Sequence, residues 1–167
     1  MKYEEASGIA LVMAVRRADR LLEDATALPP VRGGQFDQLL GNLPFPLTDG
    51  QKQVLADITA DMSRPRPMSR LLQGEVGSGK TIVSLLAMLQ AVDNGSQCAL
   101  LAPTEVLTMQ HARSLQETAL RAGLTTSVVA LTGLMTAAQR QEAMLNIVSG
   151  QADIVVGTHA LIQEGVE

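Results

Sequence analysis

From residue 69 onward the chain alternates between two hydrophobic periods. Short apolar runs ("CALLA", "SVVAL", "DIVVG") are separated by longer stretches whose apolar residues fall three and four apart. Continuous runs mark strands covered on both faces, and the wider spacing marks helices. The pattern predicts strands over 69–73, 97–102, 126–131 and 153–156, with helices over 80–93, 104–121 and 136–148 between them. Strands alternating with helices need crossover connections, so the expected fold class is α/β, a parallel sheet with flanking helices.

Upstream, "YEEASGIALVMAVRRADRLLEDA" predicts an N-terminal helix. Leu11, Val15, Ala18 and Leu22 share one face, and Arg16, Arg17, Arg20, Glu23 and Asp24 occupy much of the rest. Its mixed-sign polar face points to docking against a domain, not to a membrane. "TALPPVRGG" breaks it with two prolines and two glycines, a linker signal. After a short helix at "FDQLLGNL" comes "PFPLTDGQKQVLADITADM", with Thr48 as N-cap and Val54, Leu55, Ile58 and Met62 as the apolar stripe. The expected organisation is an N-terminal helical segment and linker over 1–42, then one domain over 43–167.

Composition narrows the class. Aromatic residues make up only 2% of the 167, so Leu, Val, Ala, Ile and Met must build the core. A net charge of −4 argues against coating nucleic acid by bulk electrostatics, though not against a local site. The single cysteine, Cys98, precludes an internal disulfide and sits in an apolar strand, where it reads as a small core residue in a reducing compartment. No apolar run has the length and flanks of a signal peptide or a membrane span, so a cytoplasmic, membrane-free protein is expected.

The chemistry lies at Gly74-Glu75-Val76-Gly77-Ser78-Gly79-Lys80-Thr81, a complete G-x-x-x-x-G-K-[ST] match between a predicted strand and a predicted helix. A chance match in a chain this long is below roughly 1%. Glycines let successive N–H groups turn inward as an anion nest, and the following helix points its positive end at the phosphates. Lys80 is expected to bridge the β- and γ-phosphates of ATP, and the Thr81 hydroxyl to ligate Mg²⁺. An Asn-Lys dipeptide for guanine recognition is absent, which removes a GTPase. A small-molecule kinase and a non-catalytic nucleotide-binding module stay open on these residues alone.

Three flanking stretches restrict the choice: "LPFPLTDGQ" before the loop, "APTEVL" after the second strand and "VVGTHALIQ" after the fourth. In this order they resemble the first motor domain of superfamily 2 helicases, a RecA-like P-loop fold. They are most similar to the RecG family of ATP-dependent DNA helicases, which remodel branched DNA in repair and recombination. Transcription-repair coupling factors carry a similar motor and form the alternative. The resemblance implies that Gln51 recognises adenine through its two-sided amide, with Phe45 and Leu47 walling the base. It places Pro103, Thr104 and Glu105 where one nucleic-acid strand crosses. Gly157, Thr158 and His159 would act similarly from another strand end, and Thr132 and Gly133 through their backbone. His159 alone would read as a structural loop histidine, and only the "GTHA" match raises it. His111, within "MQHAR", reads as structural. Arg64, Arg66 and Arg70 form a basic cluster that reads as a solvated loop, with Arg70 close enough to the P-loop to serve it.

Hydrolysis in that family also needs an Asp-Glu pair at a strand end, and no Asp-Glu dipeptide occurs in this chain. The resemblance places that pair beyond "GTHALIQ", past Glu167. The 43–167 unit is therefore expected to be a motor domain truncated at its C-terminus. Its partners would be DNA and the remainder of the same polypeptide, including a second motor domain. An exposed sheet edge would also favour self-association.

Overall fold

The computed structural model describes residues 23–159. The N-terminal helix expected ahead of the linker, and the end of "GTHALIQ" after His159, lie outside those residues. Five helices and three strands are described: α1 (Gln35–Gly41), α2 (Asp49–Met62), α3 (Lys80–Asp93), β1 (Cys98–Ala102), α4 (Glu105–Arg121), β2 (Val128–Leu131), α5 (Ala137–Val148) and β3 (Ile154–Thr158). The strands form one parallel sheet in the order β1-β3-β2.

Side chains alternate across this sheet and so divide its core in two. Ile154, Val156 and Val128, with half-buried Cys98, Leu100 and Ala130, face one layer made by α3, α4, α1 and α2. Leu85, Leu86 and Leu89 of α3 and Leu115 of α4 are almost fully buried there. Burying each such leucine contributes about 1.5–3 kcal/mol. The opposite face carries Val155, Leu131 and Val129 against Ala143, Met144 and Ile147 of α5.

Two expectations are corrected. First, residues 69–73 form no strand: they lie outside the three-stranded sheet, and Leu71 is 83% exposed. A strand requires a neighbour for its ladder hydrogen bonds, and an apolar run supplies none by itself. Arg70 is held by α2 instead, its Nε 2.6 Å from Asp61 Oδ2. Second, β1 is covered on one face only. Ala99 and Leu101 of β1 lie on the α5 face but beyond the reach of α5, leaving Leu101 51% exposed.

The stretch read as linker is tied to the same core. Leu28 N–H donates to Met62 O at 2.8 Å, and the buried Gln90 Nε2 donates to Leu28 O at 2.6 Å. Phe36 and Leu39 of α1 are core residues. The first turn of α1 has no cap of its own. Asp93, at the end of α3, supplies it by accepting from Gln35 N–H (2.8 Å) and Phe36 N–H (3.0 Å). A carboxylate at a helix start satisfies orphan donors and the positive end of the dipole together.

Candidate phosphate cradle and strand-end surface

The glycine-rich loop leads straight into α3. Gly77 and Gly79 have φ of 83° and 80°, the left-handed region that glycine enters without penalty. Gly79 is the N-cap of α3 and offers no side-chain cap, so the start of that helix is left for an external acceptor. Lys80 curls back over the loop. Its Nζ donates to Gly74 O and Glu75 O at 2.6 Å each, and Ser78 Oγ lies 3.4 Å away. Glu75, Val76 and Thr81 are exposed, Val76 completely. An ammonium held by two neutral carbonyls beside an uncapped helix start fits an anionic phosphate, since both features favour negative charge.

Gln51 joins the cradle through α2. Thr48 and Gln51 make a capping box: Gln51 N–H donates to Thr48 Oγ1 (3.2 Å), and Thr48 N–H donates to Gln51 Oε1 (2.8 Å). The other end of the same amide, Nε2, donates to Ser78 O at 2.8 Å. Both sides of the amide are thus engaged by the chain, yet one lone pair and one N–H remain for a base. Phe45 is 59% exposed beside this helix start, whereas Leu47 is 6% exposed and packs in the core. Of the two residues expected to wall a base, Phe45 offers an open ring, while Leu47 belongs to the core cluster that also holds Leu85, Leu86 and Leu89.

The second group gathers where the strands end. Register pairs Leu101 with Gly157, Ala102 with Thr158 and Leu131 with Gly157. The segments after all three strands therefore emerge along one edge: Pro103, Thr104 and Glu105 after β1, Thr132 and Gly133 after β2, and Gly157, Thr158 and His159 at β3. Thr104 caps α4 by accepting from Leu107 N–H at 3.3 Å. Thr132 is buried, and its N–H meets Met135 Sδ at 3.5 Å, so it reaches the surface only through its neighbours. His159 and Pro103 are exposed. Glu105 Oε1 accepts from Gly133 N–H at 2.8 Å, a contact for which the sequence carries no local signal.

Other candidates resolve as structural. Arg70 is bound to Asp61, which raises its pKa by hydrogen bonding and charge, and it lies 3.8 Å from Asp57. It therefore serves α2 and not the cradle. Burial pushes the Cys98 thiol up to about 11, with help from the Asp153 charge, so it is not a nucleophile at neutral pH. His111 is half-buried mid-helix in α4. Among the described residues no group of three or more His, Cys, Asp or Glu is arranged to hold a metal, and no helix is long and apolar enough to cross a membrane.

Comparison with known proteins agrees with this geometry. The DEAD/DEAH box helicase family matches residues 48–166. The chain belongs to that family. Among its relatives it is similar to the ATP-dependent DNA helicase RecG of Mycobacterium leprae, 44% identical over the whole chain and 24% of that protein. RecG of Mycobacterium tuberculosis is 47% identical over the same shares, and RecG of Bacillus subtilis is 49% identical over 78% of the chain and 19% of that protein. The chain thus spans about a quarter or less of the length of these relatives. A solved structure of RecG bound to a three-way DNA junction superposes with a TM-score of 0.85 at 37% identity, over 97% of this chain and 22% of that one. Helicases of this family use ATP, which accords with the cradle at Gly74–Thr81.

Proposed function

We propose that this chain supplies the phosphate-gripping part of the first motor domain, residues 43–167, of a RecG-type ATP-dependent DNA helicase acting on branched DNA in repair and recombination. The observation that carries the reading is the uncapped start of α3 with Lys80 at its mouth, in a chain alike to RecG along its whole length.

In this reading Lys80 leaves the Gly74 and Glu75 carbonyls for the β- and γ-phosphates of ATP. The Gly77–Thr81 backbone amides then cradle the same oxygens. Thr81, an exposed residue, is the ligand this chain would offer to Mg²⁺. The metal, when bound, neutralises phosphate charge. Gln51 and Phe45 hold the adenine, one by its free lone pair and N–H, the other by its exposed ring. Thr104, Glu105, Gly133, Thr158 and His159 line the edge that a DNA strand crosses. The rest of the polypeptide, with a second motor domain, closes over the cradle and pairs with the open edge of β1. Unpaired, that edge is the surface through which copies of the chain would associate.

The deciding experiment is Lys80→Ala in the full-length protein. DNA-stimulated ATP hydrolysis is expected to fall to background while the fold is retained by circular dichroism. Hydrolysis near the wild-type rate would overturn the assignment of the phosphate site.

A further inference from the structure

The turn after β2 is loosely built. Gly133 and Leu134 are exposed, and the turn's own hydrogen bonds are long: Met135 N–H to Thr132 O at 3.4 Å and Thr132 N–H to Met135 Sδ at 3.5 Å. Its firm attachment comes from outside. The Glu105 carboxylate, at the first position of α4, accepts from Gly133 N–H at 2.8 Å. β1 and β2 do not touch, because β3 lies between them. This one bond therefore ties together the segments that follow two non-adjacent strands. Gly133 is shaped for it: a Cβ there would strike the Glu105 carboxylate, although the backbone itself would accept a side chain without strain.

A carboxylate beside a polyanion is electrostatically unfavourable. Its presence on this edge therefore calls for a role other than attracting phosphate. We infer that Glu105 is a positioning residue that braces the Thr132–Gly133 turn against the start of α4, so that the two segments meet one DNA strand as a rigid pair. The inference rests on the nucleic-acid reading of this edge given above. A brace of this kind acts through preorganisation: an unbraced turn must be ordered when DNA arrives, and that ordering lowers affinity.

The test uses the chain in its native polypeptide, with E105A, E105Q and G133A. Binding of a fluorescein-labelled oligothymidylate is followed by anisotropy, and binding of a fluorescent ATP analogue is measured in parallel. E105A removes the acceptor, and G133A pushes the carboxylate aside while leaving its charge. Both are expected to weaken oligonucleotide binding about tenfold, the usual effect of losing a charge-assisted hydrogen bond. Nucleotide affinity and the salt slope should stay unchanged. E105Q, whose amide oxygen accepts the same bond, should restore most of the loss. Wild-type affinity in both E105A and G133A overturns the brace, as does an E105Q as weak as E105A. Tighter binding by E105A and E105Q also overturns it, by showing the carboxylate to be a repulsive charge. If the wild-type protein itself binds no oligothymidylate, it is the nucleic-acid reading of the edge that fails, and the inference falls with it.

Discussion

Gln51 Nε2 donates to Ser78 O at 2.8 Å, which makes the residue that caps α2 also a strut of the phosphate loop. The two roles use opposite ends of one amide, so substitutions can separate them. Glutamate keeps the oxygen that accepts from Thr48 N–H and loses the donor to Ser78.

Gln51→Glu is therefore expected to keep the melting temperature near wild type while nucleotide affinity falls at least several-fold. Gln51→Ala should also lower stability by about 0.5–2 kcal/mol, the usual worth of a cap. Calorimetry together with titration of a fluorescent ATP analogue distinguishes these outcomes. Equal nucleotide affinity in all three proteins would show that the strut is idle.

Gly79 and Gly50 form a contrasting pair. Gly79 sits at φ 80°, and a Cβ there would strike the Gln51 amide, whereas a Cβ at Gly50 meets nothing within 4 Å. Gly79→Ala should destabilise the fold by about 1–2 kcal/mol, the left-handed penalty for a side chain, and abolish nucleotide binding. Gly50→Ala, in the first turn of α2, should be neutral or stabilising by up to about 1 kcal/mol. Denaturant unfolding of both variants checks the pair.

Cys98 yields a pH prediction with a definite sign. Its folded-state pKa of about 11 lies above the ordinary 9.0, so folding favours the neutral thiol. The associated stability is complete below pH 9 and is lost as pH rises through 11. Chemical denaturation between pH 8 and 11 should show a decline that Cys98→Ser removes. Alkylation by iodoacetamide at pH 8 should be slow in the folded protein and rapid after unfolding.

Much of this fold is legible in the sequence, for local reasons. The α3 boundaries, 80–93, follow from the glycine-rich loop before it and the apolar repeat within it, and Thr48 announces the start of α2 as its N-cap. Residues 69–73 form no strand because an apolar run reports burial tendency and says nothing of a pairing partner. In the sequence Leu47 reads as part of a base-binding wall, since its neighbours Phe45 and Gln51 belong to one motif. Burial of a single residue within a motif depends on the packing around it, here the core cluster that Leu47 joins.

The sequence by itself determined the order of elements from α3 onward, the phosphate loop and the helicase resemblance, because hydrophobic period, capping and motif spacing are all encoded within a few consecutive residues. Only the tertiary structure decided that Gln51 braces Ser78, that Glu105 holds Gly133, and that Asp93 caps α1. Those contacts join residues 27, 28 and 58 positions apart. No local period carries that information, because each bond exists only once the packed sheet and helices bring its two ends within hydrogen-bonding distance.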